Sequence, residues 1–397
     1  MQNKNTKNTK TKLRVETVLT HSGRWPDDQF GIVNTPVYRA STVLHPDLAT
    51  LVSHNQPFVY GRRGTPSSKS VEDIVTKLEH GAGTKITPSG LSAITCAIMS
   101  VVKAGDEILV TDSAYQPTRQ FCDDYLTRMG VTTKYFNPGI GKNIANLITG
   151  NTAAIMLESP GSHTFEIQDL PAIRAACNGK DIAIIVDNTW ATPLYYHPLQ
   201  LGADISVHAG TKMFVGHSDA MFGTITANQQ YFETVEKTHG LLGLFAGPDD
   251  CFLATRGLRT LSIRMKEHQD RALKIAKWLE NHEIVESVLH PALPSHSDHK
   301  LFLRDFSGSG SLFAFTLPTV SQKALAAFID DLELFGIGYS WGGFESLILP
   351  SILDSARTIK PWPKDKQLVR LHIGFEDVED LMEDLDAGLQ RYKKALA

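Results

Sequence analysis

The sequence predicts an α/β protein: a large, mostly parallel sheet sandwiched by helices, then a smaller α+β C-terminal domain. Three observations predict it. Between about residues 70 and 225, short apolar runs alternate with longer segments of helical spacing, the pattern of βαβ units. Two of these runs, "AAIMLESP" and "IAIIVDNTW", are continuously apolar and end in acids, as buried parallel strands do where their carboxyl ends open into a site. After "DAMFGTITA" the pattern changes to a helical stretch over about residues 250–282, which leads to the strands "SLFAFTL" and "VRLHIGF".

Each element has a local reason. In "SVEDIVTKLEHGAG", Val71, Ile74, Val75 and Leu78 fall on one helical face, and Gly81 and Gly83 are expected to stop the helix. "TPSGLSAITCAIMSVVKAGDEILVTD" reads as a turn, an apolar helix over about residues 91–102, a Gly-Asp turn and the strand "EILVTD". "DISVHAGTK" and "DAMFGTITA" supply two more strands. At the C-terminal end, Val378, Leu381, Met382, Leu385, Leu389, Tyr392 and Leu396 recur at spacings of three and four, one apolar stripe of a helix that packs on the core. "GSGSLFAF" precedes a strand instead of joining a strand to a helix, so it is a loop and not a dinucleotide fingerprint.

Composition narrows the function. The chain has 397 residues, 42% of them hydrophobic, enough for a large core and two or three domains. Its 39 basic and 43 acidic side chains are interspersed, and the net charge of -4 leaves no basic field for nucleic acid or an anionic membrane. A small-molecule partner is expected. Cys96, Cys122, Cys177 and Cys251 lie far apart with no CxxC pair, which argues against a disulfide framework or a zinc cluster and for a reducing cytoplasm. The opening "MQNKNTKNTKTK" is polar and basic with no apolar stretch behind it, so a frayed tail is expected there and not a signal or an anchor.

The chemistry gathers at a few residues. Asp187 closes a strand of apolar residues, where its carboxylate is held on a rigid edge and wants a cation or a proton donor. Lys212 follows the next strand, so adjacent parallel strands bring both side chains to one edge. A structural ion pair would place the same two residues there. Gly90 and Leu91 in "TPSGLSA" open a helix whose free N–H groups favour a phosphate, although many helices start this way with nothing bound. Thr211 adds a hydroxyl, and Tyr115, just past "EILVTD", can lay its ring on a planar ligand or sit in the core. An amine, a carboxylate, a ring stack and a phosphate cup together describe pyridoxal 5'-phosphate.

The motifs "YGRRGTP", "TPSGLSA", "ESPGS", "VDNTWATP", "TKMFVGHSDA", "YSWGGFESL" and "RLHIGFED" run in order from about residue 13 to the C-terminus. In them the chain resembles the Cys/Met-metabolism family of pyridoxal-phosphate-dependent enzymes. The resemblance implies the fold-type I architecture, with an N-terminal arm over 1–60, a large cofactor-binding domain over 61–255 and a C-terminal domain over 256–397. It implies Lys212 as the Schiff-base lysine and proton shuttle, Asp187 as partner of the pyridine nitrogen, Tyr115 as the stacking ring, and Gly90, Leu91 and Thr211 as the phosphate cup. Tyr60 and Arg62 match the pair that a neighbouring subunit adds to that cup, which implies a homo-oligomer, a tetramer built as a dimer of dimers. Ala209 departs from the family's serine and removes one phosphate hydroxyl. Arg370 matches the arginine that binds the substrate α-carboxylate by a two-pronged pair.

The periphery selects the reaction. Members that work at the γ-carbon read "SPTNP" where this chain has "SPGSH", and carry a glutamate and a small aliphatic residue where it has Tyr339 and Trp341. With Ser340 between them, these residues imply β-elimination from L-cystathionine to homocysteine, pyruvate and ammonia. Arg63 or Arg119 is expected to meet the distal charge of that substrate, or to be a solvated surface charge. Other reactions of the family stay open, as a cysteine-S-conjugate β-lyase, a γ-lyase or a γ-synthase. A metal-dependent hydrolase built on His208, His217 and Asp219 has poor ligand spacing, and a non-catalytic scaffold has no reason to keep both Lys212 and Asp187.

Overall fold

The computed structural model describes residues 13–319, 321–353 and 356–396. The opening "MQNKNTKNTKTK" lies outside them.

A seven-stranded sheet forms the body of the protein: β1 (Gly83–Thr87), β2 (Glu107–Thr111), β3 (Thr132–Phe136), β4 (Thr152–Glu158), β5 (Ala183–Asp187), β6 (Ile205–His208) and β7 (Gly223–Ala227), in the order β1-β7-β6-β5-β4-β2-β3. All pairings are parallel except those of β7, which runs against both β1 and β6. The continuous apolar runs are buried on both faces, as a sheet covered on two sides requires. Five further strands, β8 (Ser287–Leu289), β9 (Leu312–Pro318), β10 (Gly336–Ile337), β11 (Leu347–Ser351) and β12 (Lys366–His372), make a second, mainly antiparallel sheet in the order β10-β11-β12-β9-β8. Its core is closed by the helices Leu261–Glu280 and Val378–Leu396, the latter through Val378, Leu381, Leu385, Leu389 and Tyr392.

Three local expectations are corrected. The helix Pro66–Glu79 buries Val71, Ile74, Val75 and Leu78, but His80, not a glycine, takes the left-handed position at its end. Gly81 and Gly83 serve close approach instead: a Cβ at Gly81 would stand 2.3 Å from the Thr226 methyl, and one at Gly83 would stand 2.2 Å from the Phe232 ring. The stretch over 250–282 is two helices, Pro248–Arg259 and Leu261–Glu280, interrupted at Thr260, whose hydroxyl bonds back to the Gly257 carbonyl.

The third correction concerns Arg119. It is 2% exposed and cannot meet a substrate, because its guanidinium is spent on the fully buried Asp112 at 3.1 Å and stacks 3.7 Å over the Tyr135 ring. Asp112 in turn accepts bonds from the backbone N–H of Thr358, Ile359 and Lys360 and from the Thr358 hydroxyl. Burial alone would push this carboxyl up, but those N–H donors hold it below its usual range. Asp112 thus ties the loop before β12 to the end of β2, and Arg357 ties the same loop to Glu166, in the segment after β4, at 2.8 Å. Replacing Asp112 with Ala leaves Arg119 as a buried, unpaired cation and frees that loop, so equilibrium urea unfolding should show a loss of about 3 kcal/mol.

Candidate active site

The site is built at the carboxyl edge of the large sheet. β5 ends in Asp187, and its register with β4 sets Glu158 directly beside it. Asp187 is 7% exposed, and its Oδ1 accepts from the Thr189 backbone N–H at 2.9 Å and the Thr189 hydroxyl at 2.5 Å. Both bonds fall on one oxygen, which leaves Oδ2 for a ligand. Burial pushes the Asp187 carboxyl up, against the Thr189 bonds and the charges of His208 and Lys212. Burial also pushes Glu158 up to about 8, with the charge of Asp187 adding to the rise.

Lys212 follows β6 in the turn 209–216 and is half-buried. Its Nζ donates to the Ser340 hydroxyl at 2.6 Å and stands 5.8 Å from the Trp341 ring centre. Burial, with the positive charge of Arg370, brings the ammonium down to about 8, while Asp187 pulls the other way. The amine is therefore available as a base near neutral pH. Arg370, on β12, donates to the Ser340 carbonyl at 3.2 Å, and burial lowers its pKa to about 10. Tyr115 stands 45% exposed at the start of the helix Gln116–Gln120, with its N–H donated to Glu158 Oε2 at 2.6 Å. Burial and the charges of Glu158 and Asp187 raise its phenol. Tyr339 is 87% exposed and open to solvent above this group.

The phosphate end is less uniform than the sequence suggests. Ser89 caps the helix Gly90–Val101 by taking the Ser92 N–H, while the N–H groups of Gly90 and Leu91 have no carbonyl within the helix to bond. A Cβ at Gly90 would lie 2.3 Å from the Ala209 methyl, so glycine lets the helix start close against the strand-end turn. The Thr211 hydroxyl accepts from the Phe222 N–H at 2.8 Å and donates to the Phe222 carbonyl at 3.1 Å. With no hydroxyl at Ala209, the free N–H groups of Gly90 and Leu91 are the backbone donors available to an anion beside Thr211. The residues fit pyridoxal phosphate: an amine, a carboxylate with a free oxygen, a half-exposed tyrosine and an unpaired helix start converge on one edge.

Tyr60, Arg62 and Arg63 do not join this group. Arg62 donates to the Gly240 carbonyl at 3.0 Å and lies 5.8 Å from the Tyr60 ring, and Arg63 packs on Gly240. His208, His217 and Asp219 also part company: His208 is buried against Glu79, the His217 ring meets the Val215 carbonyl, and Asp219 is exposed. Sequence reasoning missed Thr189, which braces Asp187 and also accepts the Ala209 N–H at 2.8 Å, and Glu158, which holds Tyr115. The signal for Thr189 was its place two residues after the acid, where a hydroxyl closes a local turn.

The model of the Cys/Met metabolism PLP-dependent enzymes matches residues 16–390, and the chain belongs to this family. It is 47% identical over 378 residues to a Rhizobium johnstonii protein provisionally named as a cystathionine beta-lyase, covering 94% of this chain and 95% of that one. It is 40% identical over 389 residues to the cystathionine beta-lyase MetC of Escherichia coli, covering 95% of this chain and 98% of that one. The solved structure of cystathionine gamma synthase from Xanthomonas oryzae pv. oryzae in complex with cystathionine superposes with a TM-score of 0.89 at 30% identity, covering 97% of this chain and all of that one. The protein is thus a pyridoxal-phosphate-dependent enzyme of α/β fold-type I.

Two outcomes follow at this site. Lys212 titrates near 8 when folded and at its ordinary, higher value when unfolded, so below about 8 the unfolded chain binds the extra proton more favourably and folding is penalised. Lys212→Met should therefore raise the thermal midpoint of the cofactor-free protein at pH 7, with the gain shrinking as pH climbs from 8 towards the ordinary lysine range. Ala209→Ser restores a hydroxyl beside the helix start, and one added neutral hydrogen bond of about 1 kcal/mol should slow cofactor loss in dialysis roughly fivefold.

Proposed function

We propose that this member of the family is a carbon–sulfur β-lyase that cleaves L-cystathionine to homocysteine, pyruvate and ammonia. The observation that carries the reading is the Lys212 amine, brought to about 8 by burial and Arg370 and faced by Ser340 and Trp341, with no glutamate at position 339 or 341. Its similarity to cystathionine beta-lyases over most of its length supports the same substrate.

Pyridoxal phosphate, when bound, supplies an electron-withdrawing ring that makes negative charge at the substrate α-carbon accessible. Asp187 would hold a proton at the pyridine nitrogen, and the N–H groups of Gly90 and Leu91, with Thr211, would hold the phosphate. Tyr115 would stack on the ring. Arg370 binds the α-carboxylate, which directs the α-hydrogen towards Lys212. The Lys212 amine removes that proton, and the Cβ–S bond breaks as the electron pair left on carbon forms the new double bond. Lys212 or Tyr115 returns a proton to the departing thiolate, and the released enamine takes up water to give pyruvate and ammonia. Trp341 walls the pocket, where a γ-reaction would need a second acid to move protons along the chain.

The site is completed by a second copy. Tyr60 and Arg62 stand away from Lys212 in one chain, and the preceding segment exposes Phe30 at 99%, Leu44 at 86%, Leu48 at 74% and Val52 at 73%, apolar surface suited to burial between subunits. These features support a homo-oligomer, a tetramer built as a dimer of dimers, with the arm over 1–60 reaching across and Arg63 of a neighbour near the distal charge of the substrate. Four free, buried cysteines suit the cytoplasm, and among the described residues no helix is long and apolar enough to cross a membrane.

The test is product analysis with L-cystathionine. Pyruvate with homocysteine is expected, and 2-oxobutyrate would move the reaction to the γ-carbon. Lys212→Ala should lose more than about 1000-fold in kcat, the scale of a missing general base.

A further inference from the structure

Arg370 has a neighbour that the reaction as described does not use. His372 lies two residues on along β12, so it projects from the same face of the strand, and it is 1% exposed. Its Nδ1 is 2.7 Å from the Ser311 hydroxyl, and its Nε2 lies 3.1 Å from the Gly342 nitrogen and 3.2 Å from the Gly343 carbonyl oxygen. The Gly342 N–H can only donate and the Gly343 carbonyl can only accept, so Nε2 accepts from Gly342 in the tautomer whose Nδ1–H donates to Ser311, and donates to Gly343 in the other. Burial, with the charges of His268, Arg370 and Lys212, takes the ring down to about 3, so it stays neutral and keeps an acceptor nitrogen.

The turn that this nitrogen holds rests directly on the lysine. A Cβ at Gly342 would lie 3.1 Å from the backbone C and Cα and from the Cβ of Lys212, and Gly342 itself has φ +88°. One end of the turn is Ser340, also left-handed at φ 71°, whose hydroxyl takes the Lys212 amine and whose carbonyl takes Arg370. The other end is Gly343, packed so closely on Ser218 that a Cβ would come within 2.1 Å of its hydroxyl. A turn in which Ser340 and Gly342 are left-handed and Gly343 adds a second glycine needs a fixed anchor, because backbone in that region does not hold itself.

We propose that His372 is a positioning residue of this site: by accepting the Gly342 N–H it seats the Ser340–Gly343 turn on Lys212, and so places the Ser340 hydroxyl and the Trp341 indole against the amine. The inference rests on Lys212 being the base of the reaction. β12 then serves the site twice, with Arg370 on the substrate and on Ser340, and with His372 on the turn behind it.

The test compares His372→Leu with His372→Gln in the holoenzyme, reading kcat per bound cofactor and hydrogen exchange of the peptide that contains Gly342. Leucine fills the space without an acceptor. Glutamine can present an oxygen to Gly342. His372→Leu should exchange at least about tenfold faster there and lose about 30-fold in kcat, the scale of a slightly misplaced catalytic group, and His372→Gln should recover most of both. Wild-type exchange and turnover in His372→Leu would overturn the proposal, as would a glutamine variant as impaired as the leucine one, since the ring would then be core filler. Should His372→Leu fail to fold, Ser311→Ala takes its place: it frees the ring to carry its proton on Nε2, and it should speed Gly342 exchange and lower kcat severalfold, with no change in either counting against the anchor. Lys212→Ala assayed alongside separates the two readings, because full activity there would remove the base and leave the exchange result to stand alone.

Discussion

The parallel register of β4, β5 and β6 is the constraint on which the rest of the site depends. Parallel neighbours end at the same edge, so Glu158, Asp187 and the turn carrying Lys212 are delivered side by side by backbone hydrogen bonds alone. No long side chain has to search for its partner. The antiparallel β7 closes the same edge from the other direction, and through the Phe222 backbone it engages the Thr211 hydroxyl next to the lysine.

That placement puts opposite and like charges into a buried space, where each sets the state of the next. Lys212 is lowered by burial and by Arg370, Asp187 is raised by burial, and Glu158 is raised further by Asp187. A buried carboxylate bonded through one oxygen only and a half-buried amine are both costly to keep charged. A ligand that brings an opposite charge or a bonding partner to either group stabilises the folded state that binds it, so binding there and the fold support each other.

The smaller sheet supplies the other half of the pocket, and its attachment is electrostatic as well as apolar. Asp112 collects Arg119 and three successive N–H groups of the loop ahead of β12, and Arg357 joins Glu166. The histidine side chain at 163 meets Ser351 at 2.8 Å across the same boundary. With these ties in place, β12 can hold Arg370 at a fixed height over the edge of the large sheet.

Much of this was determined by sequence alone. Strand-ending acids, a glycine-opened helix and a lysine after an apolar strand are local signals, and each of them found its element because hydrophobic period and turn chemistry act over a few residues. The motifs carried the family and its cofactor. What only the tertiary structure decided was direction and partnership. Arg119 reads as a free cation until the fold turns it inward onto Asp112, 7 residues back in sequence, and Glu158 reads as a strand end until register sets it beside Asp187. Thr211 reads as a free hydroxyl until the residue ahead of β7, Phe222, brings its backbone up to it. Sequence spacing specifies which residues share an element, whereas long-range packing chooses which face meets which neighbour, and burial then fixes the charge each one carries.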